Sequence, residues 1–209
     1  MIETLEITPV RLSDMVAERI AAAIMDGRLP AGSRVRDHDL AEQLGVSRMP
    51  VREALQRLQR VGLIETAASR YTRVTEVSPR IAHATRQFSG HYMISLVRIA
   101  LARMDRTARL ESSHAIDAII TRLDAGGGTG AARRELQSLL VDLADNAFVS
   151  TMSGDIGIAI QRNLGVIPLP FDGPGELAES YRELRDAMLE GDADAGERII
   201  RAQFDIADE

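Results

Sequence analysis

The stretch "AEQLGVSRMPVREALQRLQRVGLIE", residues 41–65, decides how this chain is read. Ala41, Gly45 and Val51 stand at relative positions 1, 5 and 11. A small side chain lets two helices touch, a glycine lets the chain turn between them, and an apolar residue packs the second helix back on the first. That spacing predicts a helix-turn-helix. Ser47 can cap the second of the two helices, and Pro50 falls in its first turn, where a missing N–H forfeits no intrahelical bond. With helical periodicity Val51, Leu55 and Leu58 face inward, while Arg48, Arg52, Gln56 and Gln59 gather on an adjacent flank. Arginine grips guanine or phosphate bidentately and glutamine pairs with adenine, so this flank has the chemistry of a DNA-reading surface. A recognition helix enters the major groove N-terminus first, and its free N–H groups and dipole favour a phosphate there.

The same reading extends on both sides. An amphipathic helix is expected over 13–26, ended by Gly27 and Pro30, and a short one capped by Asp37 carries Leu40, Ala41 and Leu44 inward. After Gly62, residues 63–66 and 71–75 have strand character around a tip at 67–70, which makes a wing bearing Arg70 and Arg73. Within residues 46–75 six arginines face two acids, although the whole chain has a net charge of -6. A local basic patch on an acidic body suits nucleic acid.

Val77-Ser78-Pro79 reads as a joint, and everything beyond it has helical periodicity. Helices are expected over 80–105, 111–124, 131–150, 153–165, 175–190 and 192–207, broken by "DAGGGTG" (124–130) and "PLPFDGPG" (168–175). The glycine run follows no strand and has no Lys-Ser/Thr after it, so it is a connection and not a phosphate loop. The fold class expected is mostly α: a winged helix-turn-helix over 1–76 and an all-helical bundle of about six helices over 77–209.

Composition removes several alternatives. With no cysteine there is no disulfide, thiolate metal site or cysteine nucleophile. No apolar run approaches the ~20 residues of a membrane span and the N-terminus lacks a signal-peptide pattern, so a cytoplasmic location is expected. All 25 basic residues are arginine, a bias of the kind a GC-rich genome produces. Asp142, Asp145 and Glu183 could serve a carboxylate hydrolase, but no nucleophile and base share a recognisable spacing, and no catalytic residue is assigned.

"VAERIAAAIMDGRLPAGSRVRDHDLAEQLGVSRMPVREALQRLQRVGLIE", residues 16–65, resembles the winged helix-turn-helix of the GntR family of bacterial transcription regulators. The "G-x-L-P-x-G" helix end and "LGVSR-x-PVREAL" at 44–55 carry the resemblance. It implies that Arg48, Met49 and Arg52 meet DNA and that His38 touches the backbone. The DNA-contacting set expected is Arg36, His38, Ser47, Arg48, Met49, Arg52, Gln56, Arg70 and Arg73. Many members have an Arg-Gly pair in the wing, whereas Arg70 is followed here by Tyr71.

The helical remainder looks like the FCD-type effector domain of the FadR subfamily, on helix count, "LVDLADN" (140–146) and "LEGDADAG" (189–196). Many such domains hold a divalent metal through one Asp and three His, and the metal helps bind an organic acid. The positions matching those ligands are Arg133, Gln137, Tyr181 and Gln203, none a good metal ligand, and the histidines His38, His83, His91 and His114 have no ligand spacing. A metal-free, cofactor-free pocket is therefore expected, with His91, Arg98, Arg133, Gln137, Tyr181 and Gln203 as effector contacts. The resemblance implies a dimeric regulator on an inverted repeat, with an effector acting on the DNA domains through the 77–80 joint. The alternative is a ligand-independent DNA-binding dimer whose helical domain is an interaction module only.

Overall fold

The computed structural model describes residues 12–67 and 70–207, and the chain divides between Val77 and Ser78 into two units. In the first, α1 (Leu12–Met25), α2 (Asp37–Leu44) and α3 (Arg48–Arg60) precede an antiparallel hairpin of β1 (Ile64–Ala67) and β2 (Tyr71–Val74). Ile64 pairs with Val74 and Ala67 with Tyr71. Val16 and Ile20 of α1, Leu40 and Ala41 of α2, and Val51, Leu55 and Leu58 of α3 are buried together with Leu63, Ile64 and Val74. Burial on a 3–4 residue period in α3 is what turns its polar flank outward.

The turn between α2 and α3 follows from Gly45. Its φ of 66° places it in the left-handed region, and the Val46 N–H donates to the Ala41 carbonyl at 3.0 Å. This closes α2 with the 6→1 bond typical of a glycine-terminated helix. Two local expectations change. Asp37 is the first helical residue of α2 and Arg36 occupies the cap position without a side-chain bond. Ser47 does hold the cap position of α3, yet its hydroxyl makes no capping bond. One of the two backbone N–H groups it would ordinarily reach belongs to the third helical residue, and that residue is Pro50.

The wing has a third, minimal edge that hydrophobic patterning does not reveal. Arg34 bridges Arg73, the Gly32 N–H donates to the Val74 carbonyl at 2.9 Å, and the Val35 N–H donates to the Thr72 carbonyl at 2.8 Å. Residues 68 and 69 of the expected tip lie outside the described residues.

The second unit runs α4 (Pro79–Arg103), α5 (Arg106–Asp124), α6 (Thr129–Ala144), α7 (Ala147–Leu164), α8 (Pro174–Glu190) and α9 (Ala193–Phe204). α4 packs on α6, α7 and α9, while α5 packs on α6 and α8. Ser78 caps α4 through the Ile81 N–H, with Pro79 in the first turn. Leu96, Val97, Ile116, Leu136, Leu140, Leu177, Leu184 and Ile200 form the centre of its core. Gly90 and Gly196 allow α4 and the C-terminal segment to approach. A Cβ on Gly90 would lie 2.1 Å from Ile206 Cδ1, and one on Gly196 3.0 Å from Val97 Cγ1.

Helix limits differ from expectation where short polar side chains act. α5 starts five residues before 111 because the Asp105 carboxylate accepts the Ala108 N–H at 2.9 Å. The helix expected over 131–150 stops at Ala144: Asp145 takes φ 41°, and the Asn146 side chain caps α7 through the Phe148 and Val149 N–H groups. Among the described residues no helix is long and apolar enough to cross a membrane.

Candidate functional site

A groove of about 770 Å³ runs between α2, α3 and the wing. Arg36, His38, Arg48, Arg52, Gln56 and Arg70 all line it, so six of the nine expected DNA contacts share one face. Gln59, Thr66, Tyr71 and Thr72 join them. Helical spacing on α3 accounts for Arg48, Arg52, Gln56 and Gln59, and the β1–β2 register brings in the wing residues. Ser47 and Met49 are exposed at the start of α3 outside the groove lining, Met49 to 64%.

The charges in this groove are not equivalent. Arg48 donates through Nε and Nη2 to the Asp37 carboxylate, at 3.3 and 2.9 Å to Oδ2. That hydrogen bond holds the Asp37 carboxyl below its ordinary range, and Arg52 adds to the effect. Arg52 is exposed and no ion pair engages its guanidinium among the described residues. Arg73 does not line the groove: it is bound to Glu65 on the facing strand, with its guanidinium carbon 4.7 Å from the Tyr71 ring centroid. Arg57 is tied to Asp14 of α1 at 2.8 Å and so joins helices. Sequence reasoning missed Asp37 as a partner of Arg48, having read it as a helix cap.

In the helical unit the six expected effector contacts separate into two groups. His91 is exposed, and Arg98 is exposed and bound to Asp194 (2.7 Å) and Glu197 (2.8 Å) of α9. Both are exposed where the other four are partly or fully buried, and α9 supplies the acids that engage Arg98. Arg133, Gln137, Tyr181 and Gln203 sit on α6, α8 and α9 with their side chains partly or fully buried. Gln203 is consumed by its neighbour, its Nε2 donating to Ser180 Oγ at 2.8 Å. Gln137 lies against α7, where a Cβ on Gly157 would approach its Nε2 to 3.3 Å. Arg133 and Tyr181 are close enough to feel each other's charge.

These residues do not fit the divalent metal that the resemblance implies. A guanidinium has no lone pair to give, and among the described residues no three His, Cys, Asp or Glu side chains group together.

Residues 12–74 match the pattern described as bacterial regulatory proteins, gntR family, and residues 94–205, more than half of the chain, match the FCD domain. The chain belongs to the GntR family. It is a DNA-binding transcription regulator with an FCD domain, and its relatives are regulators and not enzymes. The regulator is 28% identical over 208 residues to a probable D-xylose utilization operon transcriptional repressor of Paenarthrobacter nicotinovorans, covering 93% of this chain and 86% of that one. It is 26% identical over 213 residues to an uncharacterised HTH-type regulator of Mycobacterium tuberculosis, covering 94% and 88%. Among solved structures, Escherichia coli McbR/YncC shares the fold with a TM-score of 0.70 at 21% identity over 94% of each chain.

Proposed function

We propose that the regulator works in the cytoplasm as a homodimer that binds an inverted-repeat operator and responds to a small-molecule effector in its helical unit. The observation that carries the DNA half of this reading is the convergence of Arg36, His38, Arg48, Arg52, Gln56 and Arg70 on one groove face. Arginines and a glutamine at successive turns of α3 give base-reading donors, and His38 and the wing arginine Arg70 give backbone contacts. Two-fold symmetry in the protein demands two-fold symmetry in the site, with half-sites separated by about one helical turn of DNA or a multiple of it. The domain limits follow: DNA binding over 1–76, effector binding and dimerisation over 77–209. The effector acts only to the extent that its affinity differs between the DNA-competent and DNA-incompetent arrangements of the dimer.

Selection of bound duplexes from random oligonucleotides, with sedimentation of the selected complex, tests the reading. The expected product is an inverted repeat carrying two chains. Enrichment of isolated half-sites bound by one chain would overturn the dimer, and no enrichment would overturn sequence-specific reading.

A further inference from the structure

Tyr71 lines the groove beside α3 although it is not among the residues expected to meet DNA, and the expected Arg73 does not line it. The register of the wing explains the exchange. Glu65 pairs with Arg73 and Ala67 with Tyr71, so these four side chains share the hairpin face opposite to that of the buried Ile64 and Val74. The Arg73 guanidinium binds the Glu65 carboxylate across the strands, and its central carbon lies 4.7 Å from the Tyr71 ring centroid. Ala67, the cross-strand partner of Tyr71, is too short to cover the rest of the ring. β2 is held on both edges, by β1 and by the Gly32 and Val35 N–H groups, so the strand that carries Tyr71 and Arg73 has little freedom. Among the described residues no hydrogen bond engages the Tyr71 hydroxyl.

We propose that Tyr71 is a DNA-backbone contact, its hydroxyl donating to a phosphate oxygen, and that Glu65 and Arg73 are positioning residues that hold its ring. The inference rests on the reading that the groove between α2, α3 and the wing receives DNA. A ring inserted between base pairs must offer them both of its faces, and one face of Tyr71 is already taken by a guanidinium. A single hydroxyl, donor and acceptor alike, does not tell one base pair from another, whereas a phosphate presents acceptors only. Arg73 is not itself free to meet a phosphate, since Glu65 holds it and balances its charge. The cation–π contact restricts the phenol to one orientation, so less rotamer freedom is lost when the hydroxyl meets its phosphate. Arg36, Arg48, Arg52 and Arg70 bring charge to the same groove, and Tyr71 adds a donor that brings none.

A lost arginine–phosphate contact lowers the slope of log affinity against log salt by about one, whereas a lost phenol–phosphate contact weakens binding and leaves that slope alone. The test is titration of the full chain with the selected operator and with an unrelated duplex across salt concentrations. Four proteins are compared: wild type, Tyr71→Phe, Glu65→Gln combined with Arg73→Met, and all three changes together, with unfolding temperatures measured alongside. Tyr71→Phe keeps the ring and its stack, and should weaken both duplexes by about threefold to tenfold at unchanged salt slope and unfolding temperature. The Glu65→Gln and Arg73→Met pair frees the ring at constant net charge. It should also weaken both duplexes at unchanged slope, and should add little to Tyr71→Phe in the triple variant. Should the paired variant fail to fold, Tyr71→Phe alone decides.

Full affinity in Tyr71→Phe, a loss confined to the operator, a salt slope lower by about one in the paired variant, or additive losses in the triple variant would each overturn the proposal. Arg52→Ala, titrated alongside, separates this contact from the reading beneath it. If Arg52→Ala loses operator affinity while Tyr71→Phe retains it, the Tyr71 contact falls and the DNA-binding groove stands. If neither variant loses affinity, the groove reading falls with it.

Discussion

Arg48 is the first residue of α3 and is held by the protein's own Asp37. On the proposed reading, DNA must exchange that carboxylate for a phosphate or a base edge, so that Asp37 would set both the orientation of Arg48 and the cost of releasing it. Its carboxyl lies below its ordinary range chiefly because Arg48 hydrogen-bonds it, so the pair is intact at neutral pH and is lost only as pH falls through that lowered value. Asp37→Asn should raise affinity for non-operator DNA, steepen its salt dependence by up to about one counter-ion, and narrow the operator to non-operator ratio. Competition titrations across salt check this; unchanged non-operator affinity would show that the pair is irrelevant to binding. The arginines and glutamines of α3 were legible from sequence because helical spacing alone gathers them. The Asp37 pairing was not, since it spans a turn between two helices, and an acid near a helix start has a local explanation as a cap.

α3 works as an element because Val51, Ala54, Leu55 and Leu58 anchor one face and leave the other wet. Leu58 is fully buried, so Leu58→Ala should destabilise the DNA-binding unit by about 2–5 kcal/mol in denaturant unfolding, with DNA affinity lost in step. In the other unit, Gly90→Val should cost about 1–3 kcal/mol by driving α4 away from Phe204 and Ile206, read as a lower unfolding temperature. Helices α1, α3, α4 and α8 were legible to within two residues, because glycine, proline and a regular apolar stripe mark them. The Ala144–Ala147 break was not. It uses Asp145, which adopts the left-handed conformation, and Asn146, which caps the next helix; neither disturbs the helical pattern of the sequence.

For the whole molecule, a chain of net charge -6 concentrates its arginine excess at the helix-turn-helix and wing, which steers that unit toward a polyanion while the acidic helical unit is repelled by it. Of the residues expected to contact an effector, Arg98 hydrogen-bonds Glu197 and Asp194 and Gln203 hydrogen-bonds Ser180, pairings that only tertiary packing supplies and that the sequence does not reveal. If the regulator is the effector-responsive dimer proposed above, linkage makes a quantitative demand on it: whatever factor an effector takes from operator affinity, the operator must take from effector affinity.

The central claim is that the outer flank of α3 reads DNA, and Arg52 is its least encumbered arginine. Titration of the selected operator with wild-type and Arg52→Ala protein, matched for unfolding temperature, tests it most directly. The account predicts a loss of about 1–3 kcal/mol in operator affinity for the variant. Equal affinity of the two proteins would contradict it.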